Sequence, residues 1–388
     1  MNHITLMTAG PTQVRENVRL ARSTVTTNPD EDISFCEYYK QICDKLADFF
    51  HTKNTFYILS GEGILGLEAA CASLTEVGDR VLVIDNGIFG KGFADFVKIY
   101  GGEAVLYTVD DKQPVNVECL KEYLKKDSNF KYATVVHCDT PSGMLNDVEE
   151  ICPVLKQYGI LTVVDSVSAS FGVHLDVGKA QIDILCGGSQ KALSAPIGLT
   201  FLGVSDEAIE VMKNRKTPIT SFYANILSYV GYYEKKWFPY TMPISDIYGF
   251  GTALENILKD KEIFQRHKTI AQATRKAVEA AGLKQYIKSG YSDTVTAIVL
   301  PEGISARVLL DIMRYRFHIM ISGCFGELAG KVIRIGHMGE NANVADVAQT
   351  LAALEDVLID MGVTLKCNMR EVFLEETKSK VEIRFVKE

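Results

Sequence analysis

Between positions 56 and 204 short apolar runs alternate with longer stretches in which apolar residues recur every third or fourth place. The runs Phe56–Leu59, Val81–Asp85, Ala104–Val109, Ala133–His137, Leu161–Asp165, Ile182–Cys186 and Leu199–Val204 are rich in Val, Ile, Leu and Tyr. Gly, Asp, Asn or Thr bound them, which is the pattern of strands. Helical periodicity marks Ile64–Leu74, Gly92–Tyr100, Val117–Leu124 and Glu149–Tyr158 between them. Such alternation predicts an α/β unit, a mainly parallel sheet covered by helices on both faces. After Pro243 the rhythm changes. A long helical stretch from Ser245 to Ala281 precedes a strand (Thr294–Leu300), a helix (Ser305–Tyr315), short strands at His318–Ser322 and Lys331–Ile335, and a helix over Val344–Met361. Alternation of Val381, Ile383 and Phe385 with polar neighbours predicts an edge strand over Lys378–Val386. The expected organisation is an N-terminal arm (1–15), a large domain (16–255) and a smaller α+β domain (256–388). No internal repeat or low-complexity tract interrupts it.

Composition narrows the function classes. The chain has 388 residues, 47% of them hydrophobic, with 49 acidic against 41 basic side chains and a formal charge of -8. That balance argues against a nucleic-acid binder, which would carry a basic face, and gives no attraction to an anionic membrane. No run approaches the roughly 20 apolar residues of a membrane span, and the first residues lack a secretory signal pattern. Nine cysteines without CxxC spacing read as reduced thiols of a cytoplasmic protein. The seven histidines are scattered, so no metal site is expected.

In parallel sheets ligands bind beyond the carboxyl ends of strands, so the residues there come first. Gly187-Gly188-Ser189-Gln190-Lys191-Ala192-Leu193-Ser194 follows the run ending at Cys186. A lysine held in a Gly/Ser turn and partly desolvated can lose its proton and attack a carbonyl; most lysines are merely solvated surface charges. Asp165 ends another apolar run. Such an acid can cap a helix or form a salt bridge, or it can pair with the protonated nitrogen of a pyridine ring. The spacing from 165 to 191 accommodates one strand-to-strand crossover, so both groups can emerge at the same sheet edge.

Ser-Gln-Lys191-Ala-Leu-Ser-Ala-Pro and Val-Val-Asp165-Ser-Val-Ser together resemble the lysine and aspartate motifs of the class V, fold-type I aminotransferases, which include the alanine–glyoxylate and serine–pyruvate enzymes. The likeness runs from Ala9-Gly-Pro-Thr12 to Arg334-Ile-Gly-His-Met-Gly339. It implies an aminotransferase in which Lys191 captures the pyridoxal aldehyde and Asp165 holds the ring nitrogen's charge. Phe89 of Asn86-Gly-Ile-Phe-Gly90 matches the residue stacked on the ring, Thr140 of Asp139-Thr-Pro-Ser-Gly143 the contact to the ring hydroxyl, and Val167 the residue packed beneath. Arg334 matches the binder of the substrate carboxylate, with Gly10 flanking it. A guanidinium fork suits a carboxylate, although an arginine in an apolar run would also call for an anionic partner on structural grounds. Gln190, Tyr240 and Thr241 match phosphate contacts, the last two reaching across a homodimer interface. The partners implied are a small-molecule amino donor and a small 2-oxo acid, pyruvate or glyoxylate.

One stretch departs from the family. The phosphate of pyridoxal 5'-phosphate ordinarily rests on a small hydroxyl-rich turn at a helix start, here Ser60-Gly61-Glu62-Gly63-Ile64. Glu62 replaces a hydroxyl residue and Ile64 another polar contact. Glu62 either points to solvent from a first helical turn or fills the anion site itself, so that unphosphorylated pyridoxal or pyridoxamine enters as a substrate. The second version resembles the pyridoxamine–pyruvate aminotransferases of the same family. Cys324 stands where a second arginine would be looked for. A lyase or desulfurase would need a reactive cysteine, for which Cys324 is the candidate, and a non-catalytic subunit would have lost Lys191 or Asp165.

Overall fold

The structure, a computed structural model, describes residues 4–378. The edge strand expected over Lys378–Val386 lies, Lys378 aside, outside the described residues. All seven predicted strands form, with ends shifted by a residue or two: β1 (Thr55–Ser60), β2 (Arg80–Asp85), β3 (Glu103–Thr108), β4 (Tyr132–Val136), β5 (Leu161–Asp165), β6 (Ile184–Gly188) and β7 (Leu199–Val204). They make one sheet in the order β1-β7-β6-β5-β4-β2-β3. β7 runs antiparallel to both neighbours, and the remaining pairs are parallel. Because β7 reverses direction between β1 and β6, the carboxyl ends of β1, β2, β4, β5 and β6 all open on one edge. Every residue of β4, β5, β6 and β7 is buried, as continuous apolar strands covered on both faces must be. β3 has no buried residue and closes the far edge.

Beyond the sheet, two differences from the sequence reading stand out. The stretch expected as one helix from Ser245 to Ala281 is two, Ile244–Lys259 and Ile263–Ala280. The chain turns at Asp260, whose backbone leaves the helical region and whose carboxylate engages Arg266 at 2.6 Å; an Asp that bonds locally offers the backbone an alternative to helix. A 17-residue helix at Ile33–Phe49, opened by an Asp32 cap, and a shorter one at Met369–Thr377 were absent from that reading. The arm is not free: Thr5–Leu6 pairs in parallel with Ile319–Met320. Lys284–Gln285, Val295–Val299 and Val332–Gly336 form a small antiparallel sheet. The buried apolar residues separate into one large cluster about the seven-stranded sheet and a second that joins Met7 to residues from Ile270 to Phe373.

Candidate active site

A cavity of about 210 Å³ lies at the carboxyl edge of the sheet. Its wall contains Gly10, Glu62, Gly63, Phe89, Thr140, Asp165, Val167, Gln190 and Lys191. Nine of the sequence candidates thus converge from five strand ends and the arm. Gly61, Tyr240, Thr241 and Arg334 do not line it.

Lys191 follows β6 in a turn that the arm straps down: Thr12 N–H donates to the Gln190 carbonyl at 3.1 Å, and Thr12 Oγ1 to that of Lys191 at 3.0 Å. The ammonium donates to the Ala9 carbonyl. A Cβ on Gly10, whose φ is +98°, would meet the Lys191 side chain at 2.5 Å, so only glycine lets the arm pass this close. Burial, aided by the nearby Arg334 charge, pulls the Lys191 amine down to about 8. The neutral form is therefore a minor species at neutral pH, but far more abundant than for a solvated lysine.

Asp165 ends β5 and is 5% exposed. Its Oδ1 accepts from Val167 N–H at 2.9 Å. Burial pushes the carboxyl up to about 7, against the lowering effects of that bond and of Lys191, while Asp139 and Glu62 push the same way as burial. No cation reaches ion-pair distance of Asp165 among the described residues. A basic ring nitrogen would be its natural partner, since buried charges are kept when paired. Two further polar atoms of the cavity wall, Ser168 Oγ and Gln190 Oε1, are buried without a hydrogen-bond partner. These orphaned groups, the amine and the acid together fit a polar aromatic aldehyde such as pyridoxal.

Glu62 opens the helix α1 (Gly63–Leu74), and its side chain, far from waving in solvent, caps it. Oε1 accepts from Ile64 N–H at 3.1 Å and Oε2 from Gln190 Nε2 at 3.0 Å. A carboxylate thus occupies the helix N-terminus, where backbone N–H groups and the helix dipole would otherwise welcome a phosphate. Gln190, expected at a phosphate, spends its amide donor on Glu62. α1 begins hard against Val167: a Cβ on Gly63 would lie 2.8 Å from Val167 Cγ2.

Arg334 lies in the Val332–Gly336 strand at 8% exposure. The anionic partner that structural grounds would call for is missing: no carboxylate reaches it within ion-pair distance among the described residues. Its Nε and Nη2 donate to the Gly323 carbonyl at 3.0 and 2.7 Å, and the guanidinium sits 5.7 Å from the Phe325 ring centre. Phe325 meets Phe89 edge-on at 5.8 Å, which places the arginine one side chain away from the cavity wall. Cys324, between them, donates to the Pro141 carbonyl at 3.4 Å, and burial raises its thiol; a raised thiol is a poor nucleophile. Tyr240 hydroxyl accepts from Ser60 N–H at 3.2 Å and pairs with Tyr229, bracing the glutamate turn within the same chain. Thr241 is exposed.

Sequence reasoning missed Cys138 and Ser168 on the cavity wall. Both sit just beyond strand ends, and that position was the available signal.

The class-V aminotransferase pattern matches residues 12–338. An uncharacterized aminotransferase of Methanocaldococcus jannaschii is 37% identical over 96% of this chain and 98% of its own length. The pyridoxamine–pyruvate transaminase of Mesorhizobium japonicum is 34% identical, over 90% of each chain. The crystal structure of ureidoglycine–glyoxylate aminotransferase from Bacillus subtilis superposes with a TM-score of 0.93 at 27% identity, covering 97% of this chain and 99% of that one. No helix among the described residues is long and apolar enough to cross a membrane. With a fold-type I architecture and a family match over most of its length, this chain belongs to the class-V aminotransferases.

Proposed function

We infer that the protein transfers an amino group from pyridoxamine, bound without a phosphate, to a small 2-oxo acid such as pyruvate. One observation carries the reading: the Glu62 carboxylate already fills the helix terminus and has taken the Gln190 amide. The relation to a pyridoxamine–pyruvate transaminase is in keeping with it. The alternative is conventional pyridoxal 5'-phosphate-dependent alanine–glyoxylate or serine–pyruvate transamination. It draws on the likeness to a glyoxylate enzyme of closely similar shape.

When bound, the pyridine ring would supply a sink for the electron pair left when a proton leaves the carbon that carries the amino group. The residues present would serve it as follows. Lys191, drawn down to about 8, supplies the neutral amine that meets the aldehyde and afterwards carries a proton between carbon atoms. Asp165 keeps a proton on the ring nitrogen, while Phe89 and Val167 hold the ring plane and Thr140 meets its hydroxyl. Arg334 Nη1 has no hydrogen-bond partner among the described residues, so the substrate carboxylate would meet it on the side away from Gly323. We further infer a homodimer, in support of which the large apolar side chains Phe222, Tyr223 and Trp237 are more than half exposed, with the exposed Thr241 facing the second copy while Tyr240 is held within its own chain. The two apolar clusters support a division into two domains, with the main change-over between Ile263 and Ile270 rather than at residue 255.

The test is direct. Purified protein is denatured and any released aldehyde is analysed for phosphate, with parallel assays of pyridoxamine plus pyruvate and alanine plus glyoxylate. Turnover of the first pair with no phosphate released supports the reading. Stoichiometric pyridoxal 5'-phosphate with turnover of the second pair alone would establish the alternative.

A further inference from the structure

The helix that carries Phe89 has no cap of its own. This helix, α2 (Ile88–Ile99), begins after Gly87, which has no side chain to accept the free N–H groups of the first turn. A residue fifty positions away does so instead. Asp139 Oδ1 accepts from Phe89 N–H at 3.0 Å. Its Oδ2 accepts from Ser142 Oγ at 2.7 Å and from Ser142 N–H at 3.2 Å. Asp139 is fully buried, and Gly87 leaves it room: a Cβ there would lie 2.5 Å from the Asp139 carboxyl carbon.

The arrangement repeats one across the cavity. Asp165 holds Val167 through the backbone N–H, and Asp139 holds Phe89 in the same way. Each of two apolar side chains on the cavity wall is thus tied at its own amide to a buried carboxylate. Asp139 does more than cap a helix, because the residue after it is Thr140. Its carboxylate joins the turn that carries Thr140 to the turn that carries Phe89, so that two walls of the cavity move as one body. Phe325 braces the Phe89 ring from its edge, and Asp139 holds its amide. A buried carboxylate is costly to maintain, and three donors converge to keep it. Replacing it with an amide would present an N–H₂ group to the Ser142 donors, a mismatch that loosens the joint.

We propose that Asp139 is a positioning residue for the ring site, acting through Phe89. The proposal rests on reading the cavity as the place where a pyridoxal ring binds. The experiment is a double-mutant cycle of Asp139→Asn and Phe89→Leu, reading equilibrium affinity for added pyridoxal and the circular dichroism induced in the bound ring. Asp139→Asn alone should weaken binding about tenfold, the loss of one charge-assisted hydrogen bond, and should change the induced signal. In the Phe89→Leu background the same substitution should cost less than about twofold, because the backbone tie remains but the aromatic ring it positions is gone. Asp139→Glu should recover neither the affinity nor the signal, since the longer side chain cannot reach both turns at the same spacing. Equal losses in both backgrounds, or an unchanged induced signal, would overturn the proposal and leave Asp139 a general structural residue. Should Asp139→Asn fail to fold, Ser142→Ala, which removes the hydroxyl donor to the same carboxylate and leaves the backbone N–H at 142 in place, is carried through the same cycle with the same criteria. Failure of the wild-type protein to bind pyridoxal would instead overturn the ring-site reading itself, so the two failures are told apart.

Discussion

Replacing Glu62 by serine tests the phosphate question with one atom-scale change. Serine is itself a good helix cap, so α1 keeps an acceptor for its first N–H groups and the substitution mainly removes a charge. Two unit charges about 4 Å apart repel by roughly 4 kcal/mol at an effective dielectric of about 20. A phosphate brought to a terminus already holding the Glu62 carboxylate would meet this repulsion with close to two charges. Glu62 is only half-buried, so solvent screens a large part of it, and about 2 kcal/mol is a reasonable remainder. That corresponds to roughly thirtyfold in affinity. Removing Glu62 also frees the Gln190 amide to donate to a phosphate. The assay is equilibrium titration of Lys191-bound aldehyde absorbance with pyridoxal and with pyridoxal 5'-phosphate, for wild type and Glu62→Ser. The ratio of the two affinities should move toward the phosphorylated form by about thirtyfold, with pyridoxal itself losing affinity. An unchanged ratio, or a shift toward pyridoxal, would refute the claim that this carboxylate stands in the phosphate's place.

Lys191→Ala should abolish the absorbance of protein-bound aldehyde; an unaltered spectrum with full turnover would remove the lysine from the chemistry. Arg334→Ala should raise the apparent KM for pyruvate by about tenfold or more, the effect of losing a hydrogen-bonded charge pair, and unaffected kinetics would displace it from substrate binding. The raised Asp165 pKa makes a stability prediction for the ligand-free protein. With its folded value near 7 and its ordinary value at 3.8, the folded state retains a proton that the unfolded chain has lost. Stability from this group is therefore highest below pH 4 and falls as pH rises through the window from about 4 to 7, by up to about 4 kcal/mol. Thermal melts should show Asp165→Asn gaining on wild type across that window, and a constant difference would count against the shift. Gly10→Ala should weaken pyridoxal binding by displacing the Lys191 side chain, which the same absorbance titration reads; binding equal to wild type would show that the arm yields at no cost.

The strands were legible in the sequence because fully buried parallel strands are continuous apolar runs, and a run such as Leu161–Asp165 has few other uses. Lys191 and Asp165 were legible because each follows such a run within a distinctive local motif. Less visible were elements whose pattern is weak or interrupted. Asp260 breaks a helix whose periodicity continues on both sides; the Ile33–Phe49 helix, by contrast, buries Phe35, Cys36, Tyr39, Ile42, Cys43 and Leu46 at helical spacing and was legible, although it lies ahead of the first strand and is absent from the sequence reading. What the amino-acid order alone determined was which side chains stand at strand ends, since that depends on periods of two and 3.6 residues along one segment. Only the tertiary structure decided where they point and what they meet. Glu62 could have faced water, but the approach of Gln190, 128 positions away, gives its carboxylate a second donor at the helix terminus. Arg334 could have been paired with an acid, and instead a neighbouring carbonyl holds it. Asp139 stood in the sequence only as the residue before Thr140, and folding brought Phe89 to it. Local order specifies the groups, whereas charge pairing and hydrogen bonding between distant segments exist only once the sheet has fixed their separation.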